Sequence, residues 1–175
     1  MAELTSQDRL QPSLLDRLID PDPQQHREPI EARVLSRQQL RAAVLRDLAW
    51  LFNATRPEPE PQSQRKDEIA LWQGNPHARR SVMNYGMPAF AGVTLSSMDS
   101  RAIERSIAEA ITTFEPRIDP ATLKVEIKFD SSSPFNTLQL LIRGQMWSQP
   151  VPLELLLAAD VDVETGNTHV RDLRA

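Results

Sequence analysis

Leu123-Lys-Val-Glu-Ile-Lys-Phe129 decides the fold. Leu123, Val125, Ile127 and Phe129 alternate with Lys124, Glu126 and Lys128, the period of two that a half-buried strand demands. Just upstream the period is 3.6: Asp99 caps a helix carrying Ile103, Ile107, Ala110, Ile111 and Phe114 on one side, and Pro116 stops it. The alternation predicts further strands downstream. Asp130 to Asn136 reads as a turn, Thr137 to Met146 as a second strand, and Leu153 to Val163 as a third after Pro150 and Pro152. Glu164-Thr-Gly-Asn167 then turns the chain into Thr168-His-Val-Arg-Asp-Leu173. Helices first and an antiparallel meander second predict an α+β domain, with N-terminal helices followed by a three- to four-stranded sheet packed against them.

Upstream, Ser36 and Gln39 have capping-box spacing, and Leu40, Val44, Leu48, Leu51 and Phe52 follow as one apolar stripe. A shorter helix is predicted from Ser13, with Leu14, Leu15, Leu18 and Ile19 on one side and Pro21 and Pro23 ending it. So short a helix does not hold itself in water and must dock on something. Thr55 to Lys66 alternates proline with polar residues, which favours polyproline II and predicts a spacer or mobile loop with nothing to bury. The segment Asp67 to Gly92 is irregular but concentrates Leu71, Trp72, Val82, Met83, Tyr85, Met87 and Phe90, with a turn of helix over Arg79 to Asn84 ended by Gly86. The expected division is a docking helix and proline-rich loop over 1–32 and a single domain over 33–175, mobile near 55–66.

Composition narrows the chemistry. The 175 residues suit one domain. A net charge of −4 supplies no field for phosphates, so no nucleic-acid partner is expected, and Arg37, Arg41, Arg79 and Arg80 read as exposed helix faces. Cysteine is absent, which removes disulfides, thiolate nucleophiles and Cys-ligated metals. His26, His77 and His169 are far apart in sequence, no G-x-S-x-G or H-E-x-x-H spacing occurs, and five scattered glycines form no phosphate cradle, so no cofactor or metal is expected. The first residues carry acids rather than an apolar signal core, and no window approaches the ~20 apolar residues of a membrane span. A cytoplasmic protein without direct membrane insertion is expected.

Seven of the fourteen prolines precede residue 62, but the most informative one is Pro116, in Phe114-Glu-Pro-Arg-Ile-Asp119. Glu115 sits at a helix C-terminus, where an acid is disfavoured unless a cation compensates, and Arg117 is placed to do so. The corner reads either as structural or as a docking hot spot presenting two charges. A carboxylate pair for glycosidic chemistry, with Glu115 as acid near Asp119, is disfavoured by Arg117 between them.

With those residues in view, the chain resembles TssE, the family of type VI secretion baseplate wedge subunits homologous to a small wedge protein of contractile phage tails. The resemblance rests on Ser13-Leu-Leu-Asp-Arg-Leu-Ile-Asp20, Leu45-Arg-Asp-Leu-Ala-Trp-Leu-Phe-Asn53, Ser81-Val-Met-Asn-Tyr-Gly-Met-Pro88 and Phe114-Glu-Pro-Arg-Ile118, in the same order along nearly the whole chain. Phe52, where leucine is common, and the stretch Pro57 to Pro61 depart from the pattern.

The resemblance implies a non-enzymatic structural subunit that binds the wedge subunits TssF and TssG, with TssK a further candidate, and connects the baseplate to the sheath of TssB and TssC. It implies partner binding through Glu115, Pro116 and Arg117, and we add Tyr85 and the Leu14, Leu15 and Leu18 helix face as expected contacts. The sheet is similar to the sheath subunit's interlocking domain, where neighbouring chains donate strands, so Val125 and Val170 on the expected edge strands are candidates for pairing with a sheath strand. The alternative function is a lysozyme-like peptidoglycan hydrolase using Glu115.

Overall fold

In a computed structural model the described residues are 13–18, 35–61, 63–89, 99–129, 137–146, 152–163 and 165–174. The helices are α1 (Leu14–Leu18), α2 (Arg37–Phe52), α3 (Lys66–Gly74), α4 (Pro76–Arg79) and α5 (Ser100–Phe114), with a 3₁₀ turn at Val82–Asn84. The strands are β1 (Lys124–Phe129), β2 (Thr137–Met146), β3 (Leu153–Asp162) and β4 (Thr168–Asp172). They form one antiparallel sheet in the order β1-β2-β3-β4, so the architecture is α+β as expected, with β1 and β4 at the edges.

Register explains the core. Leu138, Leu140 and Ile142 of β2 stand opposite Val161, Ala159 and Leu157 of β3, and all six are buried. This face packs on α2 and α5, whose Val44, Leu48, Leu51, Ile107 and Ile111 are buried in the same cluster. The capping box forms as the spacing predicts: Gln39 N–H donates to Ser36 Oγ at 3.2 Å and Ser36 N–H to Gln39 Oε1 at 2.8 Å. Asp99 accepts from Arg101 and Ala102 N–H at the start of α5. Gly144 has a packing role, because a Cβ there would lie 3.1 Å from Ile118 Cγ2. Its bare backbone lets Ile118 seat against β2.

Three expectations change. Asp67 to Gly74 is not irregular but belongs to α3, which buries none of its residues and has no side-chain cap at Arg65. The turn of helix expected over Arg79 to Asn84 splits into α4 and the 3₁₀ turn, and Gly86 follows at φ +132. Of the large side chains between Leu71 and Phe90, Met87 is buried while Leu71, Val82 and Met83 are exposed; Phe90 lies outside the described residues.

The proline-rich stretch is also not without partners. Pro59 is buried, Glu58 N–H donates to Asn84 Oδ1 at 3.1 Å, and the Glu58 carboxylate receives Arg79 Nε at 2.8 Å and Asn84 Nδ2 at 2.9 Å. Arg79 therefore belongs to an ion pair rather than to a solvated face. The same holds for Arg41, whose guanidinium engages Asp172 and donates to Glu154 O at 3.0 Å.

Candidate functional site

α5 stops at Phe114 because Pro116 lacks an N–H and fixes φ. The chain turns there, Ile118 N–H donating to Glu115 O at 3.2 Å, and Asp119 N–H then donates to Gln145 O at 2.8 Å. The corner is thus pinned to the end of β2.

The acid of this corner faces inward. Glu115 is 2% exposed, and Arg117 wraps back onto it, Nε donating to Oε1 at 2.6 Å and Nη2 to Oε2. Arg117 Nη2 also donates to Asp47 Oδ2 of α2. The neighbouring Arg46 donates through Nε to Asp47 Oδ1 at 2.9 Å and reaches Asp16 Oδ1 of α1 at 2.8 Å. Five groups of alternating sign, Asp16, Arg46, Asp47, Arg117 and Glu115, therefore run from α1 across α2 to the corner. Burial alone would lower the Arg117 pKa, but its bonds and attraction to Glu115 and Asp47 hold it above the usual guanidinium value.

Tyr85 belongs to this cluster. Its ring meets Phe114 edge-on, centroids 5.1 Å apart and planes at 71°. Burial, then the Asp47 and Glu115 carboxylates, raise its phenol pKa above the usual 10.0. Pro116 is exposed and Arg117 half-buried, so a proline edge and part of Arg117 reach the surface of the corner, whereas the Glu115 carboxylate does not. A hydrolase using Glu115 would need that carboxyl open to a sugar, whereas its oxygens are occupied by Arg117.

α1 behaves differently. Leu14 and Leu18 are 76% and 73% exposed and Leu15 37%, so the apolar face looks outward, and the contact with α2 is the Asp16–Arg46 pair. Ile19 lies outside the described residues. Burial pushes the Asp16 carboxyl up, but hydrogen bonds from Ser13 and Arg46 outweigh it and the net pKa lies below 3.8. A depressed carboxylate stabilises the docked form above its unfolded pKa and loses that contribution as pH falls through the folded value. α1 should therefore stay docked at neutral pH and lose this anchor only as pH falls below 3.8, read as loss of the Leu14–Leu18 amide shifts on an NMR titration. Asp16→Asn should release it at neutral pH, and unchanged shifts in that variant would show another anchor.

Sequence reasoning missed Arg46 and Asp47 as members of the site. The signal was present: Asp47 lies three residues after Val44 and four before Leu51, within the apolar stripe, where a carboxylate needs a cation. Among the described residues no group of His, Asp or Glu could hold a metal ion, and no helix is long and apolar enough to cross a membrane.

Helices carrying a meander, with charge joining helix, corner and sheet, define a small α+β class in which ionisable side chains hold elements together. The family model described as Baseplate wedge protein gp25 matches residues 38–151, well over half of the chain, from α2 through β2 and including the corner. The chain belongs to this family, and its role is that of a structural baseplate component that interacts with other baseplate components. Among the curated proteins compared with the chain, none matches.

Proposed function

We propose that the chain is the TssE wedge subunit of a type VI secretion baseplate, a cytoplasmic, non-enzymatic protein that binds TssF and TssG and connects the baseplate to the TssB/TssC sheath. The observation that supports this most is the family match, because it spans α2 to α5, the corner and half of the sheet together. In this reading the exposed edge of Pro116, the part of Arg117 left open and Tyr85 face the wedge partners, while Glu115 sets the angle of the corner from inside. The outward face of α1, with Leu14, Leu15 and Leu18, is laid into a partner groove, helix-in-groove fashion.

The sheath connection uses the sheet edges. Ile127 N–H points away from β2, since it donates to Glu104 Oε1, and by alternation Val125 N–H points the same way. Thr168 N–H points away from β3, donating to Asn53 Oδ1, and so Val170 also faces outward. Proline at either valine removes an outward donor without breaking a ladder bond. Val125→Pro and Val170→Pro are accordingly expected to leave the protein folded and soluble while blocking sheath polymerisation on baseplates, followed by imaging of a fluorescent sheath in cells. Normal sheath frequency in both variants would overturn the strand-pairing connection.

A further inference from the structure

The sheet has a second face. Val125 and Ile127 of β1 and Leu140 and Ile142 of β2 belong to the core that α2 and α5 close, so by alternation Lys124, Glu126 and Lys128 of β1 and Leu141 and Arg143 of β2 point the other way. Register places Lys124 directly opposite Arg143 and Glu126 opposite Leu141. All four charged groups are exposed. Among the described residues none of them makes an ion pair, whereas on the β3–β4 half of the same face Arg171 engages Asp160. Three unpaired cations against one acid leave a local excess of positive charge on a chain whose net charge is −4.

Like charges directly opposite each other destabilise a sheet, so the free chain keeps an arrangement that costs it stability. Lysines on an edge strand serve to block unwanted pairing, which accounts for Lys124 and Lys128 but not for Arg143, because β2 has a neighbouring strand on each side. The apolar residues at the middle of this face, Leu141 and Ala158, are already buried, so what it presents is charge. A partner rich in carboxylates fits it. Nucleic acid does not, because no outward residue of β1 or β2 is aromatic and able to stack a base, and the chain as a whole repels phosphates. A two-fold pairing of this face with its own copy would bring two positive surfaces together.

We propose that the outward face of β1 and β2 docks an acidic surface of another baseplate protein, whose carboxylates are taken by Lys124, Lys128 and Arg143. The face lies within the residues matched to the family. It is distinct from the edge pairing proposed above, since a strand added beside β1 lies in the plane of the sheet and leaves this face open.

The chain has three lysines, Lys66, Lys124 and Lys128, so carbodiimide coupling of amines to touching carboxylates, mapped by mass spectrometry on purified baseplates, is a direct test. Lys124 or Lys128 should couple to an Asp or Glu of a different chain. Arg143→Glu separates docking from folding. It turns a like pair into an opposite one, so the free variant should unfold at higher urea than wild type. In competition with wild-type chain its recovery in baseplates should fall at least about tenfold, because an acid then faces acids. Glu126→Gln removes the one acid of the face and should raise recovery by about twofold to fivefold. Absence of coupling at both Lys124 and Lys128 in baseplates that contain the chain overturns the docking face, as does Arg143→Glu competing as well as wild type. A lower urea midpoint in Arg143→Glu would mean that the two cations do not repel, and removes the reason for an acidic partner. Coupling between copies of the free chain makes the occupant a second copy, and loss of the association on nuclease treatment makes it nucleic acid; either overturns the acidic protein. A chain absent from baseplates overturns the proposed function together with this face.

Discussion

Arg117→Ala should lower the unfolding free energy by about 3–5 kcal/mol, the cost of leaving a buried charge without its counter-ion. The Glu115 side chain is 3% exposed and Arg117 is its cation in the corner; removing that cation strands a carboxylate among Ile118, Phe114 and the end of β2. The same substitution strips Asp47 of one of its two arginines. Urea unfolding followed by circular dichroism measures the loss. Arg117→Lys should recover only part of it, because one ammonium does not reproduce a guanidinium that grips both Glu115 oxygens and Asp47 at once. Replacing both members, Glu115→Leu with Arg117→Met, should be far milder than Arg117→Ala alone, since no uncompensated charge is then buried. Wild-type stability in Arg117→Ala would show that the pair does not hold the corner. Partner binding by the folded double variant then asks the functional question: retained binding assigns the charges to shape, and lost binding assigns them to contact.

The elements that announced themselves in sequence are those whose pattern is local. β1 reads from alternation over seven residues, α2 from a capping box and one stripe, α5 from Asp99, its isoleucines and Pro116, and each lies where that local chemistry puts it. α3 gave no such signal, because a helix that buries nothing needs no stripe. The proline-rich stretch was misread for the opposite reason. What fixes it, Asn84, Arg79 and Met87, comes from more than twenty residues away, and a window that sees only Pro57 to Pro61 sees no partner. At the corner, the pairing of Glu115 with Arg117 was legible from their spacing, but its direction was not. Whether those charges point out or in depends on Asp47, seventy residues distant in sequence, drawing Arg117 inward. Edge strands were legible from their order, whereas the side chains closing them, Asn53 and Glu104, belong to helices whose polar residues carry no mark of what they will meet.

Gly86→Ala should be the other severe substitution, because it attacks the joint that places Tyr85 beside the corner. Gly86 has φ +132, a region in which an L side chain costs of order 1–3 kcal/mol. The space is also filled: a Cβ would stand 2.6 Å from Ala54 O and 2.7 Å from Arg56 N, both backbone atoms. Those atoms are not free to retreat, since Met87 N–H donates to Ala54 O at 2.7 Å and Arg56 N–H to Met87 O at 3.0 Å, and Met87 is buried. Relief therefore means breaking the bridge between Thr55 and Met87 and lifting Met87 from the core. Adding strain to overpacking gives an expected loss of at least about 3 kcal/mol in urea unfolding. Gly74→Ala is the control: nothing lies within 4 Å of its Cβ position, and it ends α3, so little change is expected. The consequence for the site is separately visible, because Tyr85 is the one tyrosine of the chain and an ultraviolet titration reports it alone. In wild type the phenol should titrate above 10.0. In Gly86→Ala, with Tyr85 drawn away from Phe114, Asp47 and Glu115, the titration should fall back toward that value. A variant that unfolds more easily yet keeps the raised phenol would mean that Tyr85 is held by its contact with Phe114 rather than by the bridge below it.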